Sequence, residues 1–206
     1  MMLAFSTIDL TLSIILLFNQ PWFYGAVMIF LLIKKQFFDV NKILHILSIS
    51  TCVNIALKVF FKIPLLPHLG EGYALPSGHM QAAVVFYGIL FLSIHHQPKI
   101  FVIFILSIAF SIVFKNYHTI YDILAAFIVG GIIISTHQFY NEYRLKKIIL
   151  TLFSTALCCA YVLVKYPPYA HILVHFFLAV ISGYFLRYVC CKNKDIHPTI
   201  EHINEI

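Results

Sequence analysis

The residues best suited to chemistry stand in three short stretches: Lys58 with Lys62, Ser77-Gly78-His79, and Lys115 with His118 and Asp122. Two histidines and a carboxylate are the parts of acid–base and nucleophilic catalysis. His118 and Asp122 are four apart where the pattern reads as a helix, so they share a face. A carboxylate so placed can hold one imidazole nitrogen and leave the other free to act, the orienting relationship of nucleophilic triads. Pro76-Ser77-Gly78-His79 stands just ahead of an apolar run, 82–94. Proline suits a first helical turn, serine is a preferred N-cap, and glycine lets a ligand approach the backbone. A helix starting there presents unpaired N–H groups at the positive end of its dipole, which is an anion site. An ordinary cap beside a chance histidine would give the same four letters, and a buried Asp–His pair can be purely structural. Metal binding is the weaker reading, because no third or fourth ligand is spaced with these residues. The serine protease pattern Gly-x-Ser-Gly fails because position 75 is Leu.

The elements that must position these residues are apolar helices. The chain has 206 residues, 61% of them hydrophobic and 11% charged, more apolar surface than a soluble domain of this size can hide. The runs are too continuous for the alternation of a barrel, which leaves an all-α, polytopic transmembrane bundle. Eight spans are expected: 3–18, 22–38, 43–61, 78–94, 100–114, 119–136, 148–164 and 170–191. The first is short for a span and carries Asp9, which should face protein or lie near an end. The whole of 1–191 forms one membrane domain, and 192–206 is a polar cytoplasmic tail. Cys52, Cys158, Cys159, Cys190 and Cys191 lie in or at the ends of apolar runs without metal-type spacing, and read as small apolar residues. No cleavable leader is recognised at the N-terminus.

The formal net charge of +6 reads as topology and not as nucleic-acid binding. Eight spans put Lys34, Lys35, Lys42, Lys99, Arg144, Lys146, Lys147, Arg187, Lys192 and Lys194 on one side, and Lys58, Lys62, Lys115 and Lys165 on the other. Ten against four makes the first side cytoplasmic. The three chemical stretches then meet on the extracytoplasmic face, beside a belt of Tyr73, Tyr117, Tyr121, Tyr166 and Tyr169.

In these residues the chain resembles the type 2 phosphatidic acid phosphatase (PAP2) superfamily of integral membrane phosphatases. The family pattern is Lys-x6-Arg-Pro, then Pro-Ser-Gly-His, then Ser-Arg-x5-His-x3-Asp. The second motif is intact as Pro76-Ser77-Gly78-His79, the third is recognisable as Ser111, His118 and Asp122, and the first is partial around Lys58. The resemblance covers roughly 43–136 and leaves the last two spans outside a six-helix core. It implies that His118 attacks phosphorus, Asp122 holds its ring and His79 protonates the departing alkoxide and later activates water. It further implies that Ser77, Gly78 and Lys58 bind phosphoryl oxygens, and that no metal or other cofactor is needed. The expected substrate is a lipid phosphate or diphosphate that enters from the surrounding membrane lipids.

Two departures stand out. The family's arginines would fall at positions 65 and 112, which are Leu65 and Ile112. The only arginines, Arg144 and Arg187, belong to the cytoplasmic set. Lys62 and Lys115 are therefore expected to join Lys58 as phosphate ligands, supplying charge without the bidentate guanidinium fork. Two alternatives keep the same fold: a phosphotransferase whose phosphohistidine is resolved by a lipid hydroxyl, and a degenerate member that only binds a lipid phosphate.

Overall fold

A computed structural model describes residues 2–139 and, beyond them, Phe153, Ala156, Leu157, Ala160, Tyr161, Leu163 and Val164. The regular elements among the described residues are all helical, without a strand. The elements are α1 (Met2–Leu17), α2 (Pro21–Ile33), α3 (Phe37–Phe61), α4 (Gly78–Tyr87), α5 (Pro98–Phe114) and α6 (Ile120–Phe139). A single 3-10 turn, Pro67–Leu69, sits between α3 and α4, and α4 runs on as a π-helical stretch, Gly88–Ile94. Prolines open α2 and α5 at positions where no N–H is needed. Lys62 ends α3 in the left-handed region, at φ 53°, with its N–H on the Lys58 carbonyl. The segment between α3 and α4 is pinned by backbone bonds from Ala74 to Ile63 (2.8 Å) and from Leu65 to Gly72 (3.1 Å).

Helix α4 is the centre of the packing. Met80, Ala83, Val84, Val85, Phe86 and Tyr87 are all buried, against α3, α5 and α6. Its approach to α6 depends on glycine. A Cβ on Gly130 would lie 2.8 Å from Val84 Cγ1, so the backbones can come this close only because position 130 has no side chain. An aromatic cluster of Phe18, Tyr24, Phe86, Tyr87, Phe91 and Phe104 joins the break between α1 and α2 to α4 and α5.

The first two segments do not form two separate spans, as their apolar lengths suggest. Asp9 pairs with Lys115 at the end of α5. Phe18 packs on Phe104, well back along α5, and Tyr24 stacks on Phe86 in α4. Helices α1 and α2 thus travel in one direction, as a single path bent by 50° at the Phe18–Gln20 break. Asn19, between the first two expected spans, is buried for this reason, and Gln20 is half-buried. Among the described residues one helix, Lys42–Phe61, is long and apolar enough to cross a membrane alone, and the bent pair passes the same test jointly. Gly78–Leu92, Pro98–Phe114 and Ile120–Thr136 are shorter apolar helices. Ile120, Leu124, Ile128 and Ile132 are exposed at four-residue steps along α6. The spans expected at 148–164 and 170–191, and the tail, fall outside the described residues but for the seven positions named above.

Candidate active site

Ser77 caps α4 in extended backbone, and its Oγ accepts from the Met80 N–H at 3.4 Å. Its own N–H donates to the Asp122 carbonyl at 3.1 Å, which ties the start of α4 to the first turn of α6. Beneath this turn, Asn54 of α3 donates through Nδ2 to the Pro76 carbonyl (3.3 Å) and to Gln81 Oε1 (2.9 Å). Gln81 Nε2 donates in turn to Ser50 O (2.8 Å) and Ser50 Oγ (2.9 Å). A buried amide chain thus fixes Pro76-Ser77-Gly78 against α3, with its donors matched to acceptors as a buried network requires. Gly78 leaves room here, since a Cβ would meet Asn54 Oδ1 at a tight 3.3 Å.

His118 stands in the turn between α5 and α6, only 8% exposed. Asn116, at φ 54°, reverses the chain ahead of it, and the Tyr117 N–H returns to the Ile112 carbonyl. Its Nδ1 is 3.4 Å from Asp122 Oδ2 but off the line of a hydrogen bond. Asp122, 3% exposed, is itself held by Thr119: Oδ2 accepts from Thr119 N and Thr119 Oγ1, both at 2.9 Å, and the Asp122 N–H donates back to Thr119 Oγ1 at 3.3 Å. This is a capping box with aspartate in the acidic place, so one carboxylate both starts α6 and faces the imidazole. Burial, chiefly, and then the positive charge of Lys58 hold the His118 pKa below its ordinary value, against the opposing pull of Asp122. A neutral imidazole with Nδ1 toward the carboxylate leaves the Nε2 lone pair as nucleophile.

One cavity is lined by Lys58, Asn54, Gly78, His79, Gln81 and His118. Lys58 reaches it from the last turn of α3, with one ammonium proton on the Tyr73 carbonyl. A second cavity shares His79, His118 and Leu65 with it and adds Leu69, Ile112 and Tyr117. Of the residues expected at the site, Lys58, Gly78, His79 and His118 are brought together, with Ser77 beneath them and Asp122 behind. Lys62 and Lys115 are not. Lys62 is exposed because α3 has already ended in a left-handed turn that swings it off the face of Lys58. Lys115 is drawn to Asp9 across α1. Leu65 and Ile112, at the arginine positions, do line the cavity, so its wall is apolar where the family pattern carries guanidinium. Ser111 is buried and donates to the Ser107 carbonyl at 2.8 Å, within its own helix.

Thr119, Asn54 and Gln81 were not anticipated. Thr119-x-x-Asp122 is a legible capping-box pattern. Asn54 lies one turn before Lys58 and Gln81 four residues after Ser77, amides in apolar runs at helical spacing from the motif residues. Among the described residues, no group of three His, Cys, Asp or Glu side chains is arranged to hold a metal ion.

A helical scaffold that sets two histidines, a lysine and a helix N-terminus around one cavity has the donors and positive charge to receive an anionic group. Residues 58–142 match the family model of the PAP2 superfamily. The match supports membership of that superfamily and, with it, a phosphatase-type function in general. No curated protein and no solved structure matches the chain.

Proposed function

We propose that the protein is a multi-pass membrane phosphatase that removes phosphate from a lipid phosphate or diphosphate through a phosphohistidine, without a metal. The observation that carries the proposal is the buried pair of His118 and Asp122, which opens onto the same cavity as His79, Lys58 and the start of α4. The phosphoryl oxygens sit against the Ser77-Gly78-His79 backbone and the Lys58 ammonium, where negative charge is stabilised. His118 Nε2 forms a bond to phosphorus as the phosphorus–oxygen bond to the lipid breaks. His79 gives its proton to the departing alkoxide. It then takes a proton from water, whose oxygen displaces His118 and releases inorganic phosphate. Asp122 offsets the positive charge that grows on the His118 ring.

The chain's apolar excess and the outward apolar stripe of α6 support a lipid surround. The lysine and arginine distribution supports an extracytoplasmic position for the cavity. The apolar wall at Leu65 and Ile112 favours a second reading, in which the protein binds a lipid phosphate without turning it over. Release of phosphate from lipid phosphates by purified protein in excess EDTA, and its block by vanadate, separates the two. Turnover that vanishes on chelation and returns with a divalent ion would refute the metal-free mechanism.

A further inference from the structure

Asn19 lies in the break between α1 and α2, outside the segment that matches the family. It is 3% exposed, and it lines both cavities that hold His79 and His118. Its Oδ1 accepts from the Tyr24 hydroxyl, while its Nδ2 has no hydrogen-bond partner. Tyr24 is fixed in turn by stacking on Phe86 at 4.3 Å. A buried amide donor left without a partner is destabilising. An acceptor brought by a ligand would relieve this.

The depth of Asn19 says which part of a ligand that acceptor belongs to. Phe18 and Tyr24, on either side, touch Tyr87 and Phe86, about 12 Å along α4 from Gly78. The phosphoryl group is held at the start of α4, so Asn19 meets the substrate inward of it, where a lipid's linkage to its chains lies. From this geometry we infer that Asn19 is a specificity-determining donor, whose free N–H groups bind an ester or amide carbonyl close to the phosphate. The favoured substrate is an acyl-bearing lipid phosphate, and an isoprenoid phosphate, which has no such acceptor, is disfavoured. This rests on the phosphatase reading above.

The test compares dioleoylglycerol phosphate with its dioleyl ether analogue, alike in charge and chain length but lacking the carbonyls, on full-length protein in detergent micelles. The diester is expected to show about tenfold higher kcat/KM, and Asn19→Ala to bring the ratio near one. A purely structural role for Asn19 would lower both rates together and leave the ratio standing. Should Asn19→Ala fail to fold, Tyr24→Phe, which frees the amide to turn, is expected to reduce the ratio as well. Equal turnover of the two lipids by the unaltered protein, a ratio that survives Asn19→Ala, or faster turnover of an isoprenoid phosphate would overturn the inference while leaving the phosphatase reading intact. Turnover of none of these lipids would overturn that reading, and the inference with it.

Discussion

In the proposed mechanism His118 is the residue on which the chemistry turns, and its surroundings set the pH at which it would work. An imidazole attacks only when neutral, and the His118 pKa is displaced downward by burial first and by Lys58 second. The acid limb of kcat/KM is therefore expected below about pH 6.5, the ordinary histidine value. Lys58→Met removes the neighbouring positive charge, so that limb should move to higher pH, while loss of a charged phosphate contact lowers kcat/KM about tenfold or more. A limb that stays put in Lys58→Met would separate Lys58 from His118. Lys115 behaves differently. Its partner is Asp9, on a side chain 58% exposed, and exposed ion pairs contribute roughly 0–1 kcal/mol. Lys115→Ala is expected to change kcat/KM less than twofold, and a tenfold loss would restore it to the phosphate site. The pairing of His118 with Asp122 was legible from their spacing alone. The fates of Lys62 and Lys115 were not, because a left-handed helix end and a partner more than a hundred residues away leave no local mark in the sequence.

The elements hold the site by their ends. Thr119 caps α6 through the same carboxylate that faces His118, so the proposed mechanism couples stability and catalysis at one residue. Thr119→Ala should cost about 1 kcal/mol and also lower kcat, since Asp122 loses two of its bonds. Thr119→Ser should recover both, as judged by thermal unfolding and turnover. Unchanged kcat in a destabilised Thr119→Ala would mean that the box only caps. The crossing of α4 and α6 makes a separate demand. Gly130→Val places a Cβ where Val84 already stands, and overpacking of this kind costs about 1–3 kcal/mol. The start of α4 at Ser77 was readable from its cap, its proline and the apolar run behind it. The amide chain through Asn54, Gln81 and Ser50 was not assembled from the sequence, because it links α3 to α4 across 31 residues at its longest bond.

At the scale of the molecule, the first two helices change what the charge pattern implies. Two spans would put the first residues in the cytoplasm, whereas one bent path puts them on the side of the cavity. Parity from Lys42 onward is unaffected. In a background without the native cysteines, Thr7→Cys and Leu69→Cys should both react with an impermeant thiol reagent from outside, and Gln138→Cys should not. Protection of Thr7→Cys alone would restore the two-span arrangement. Protection of Leu69→Cys with labelling of Gln138→Cys would reverse the topology altogether. Hydropathy marks where apolar segments lie but not whether consecutive ones fold back, and here contacts to Phe104 and Phe86 decide the direction.

The most direct test is rapid quenching of the purified full-length protein during turnover of a lipid phosphate labelled in its phosphoryl group, in excess EDTA. A labelled protein species is expected whose bond is acid-labile and stable in alkali, with the label on His118. His118→Ala should form none, and His79→Ala, which removes the acid of the first step and the base of the second, should lower turnover. Steady turnover by the unaltered protein with no trapped label, or label on Ser77, would contradict His118 as the nucleophile.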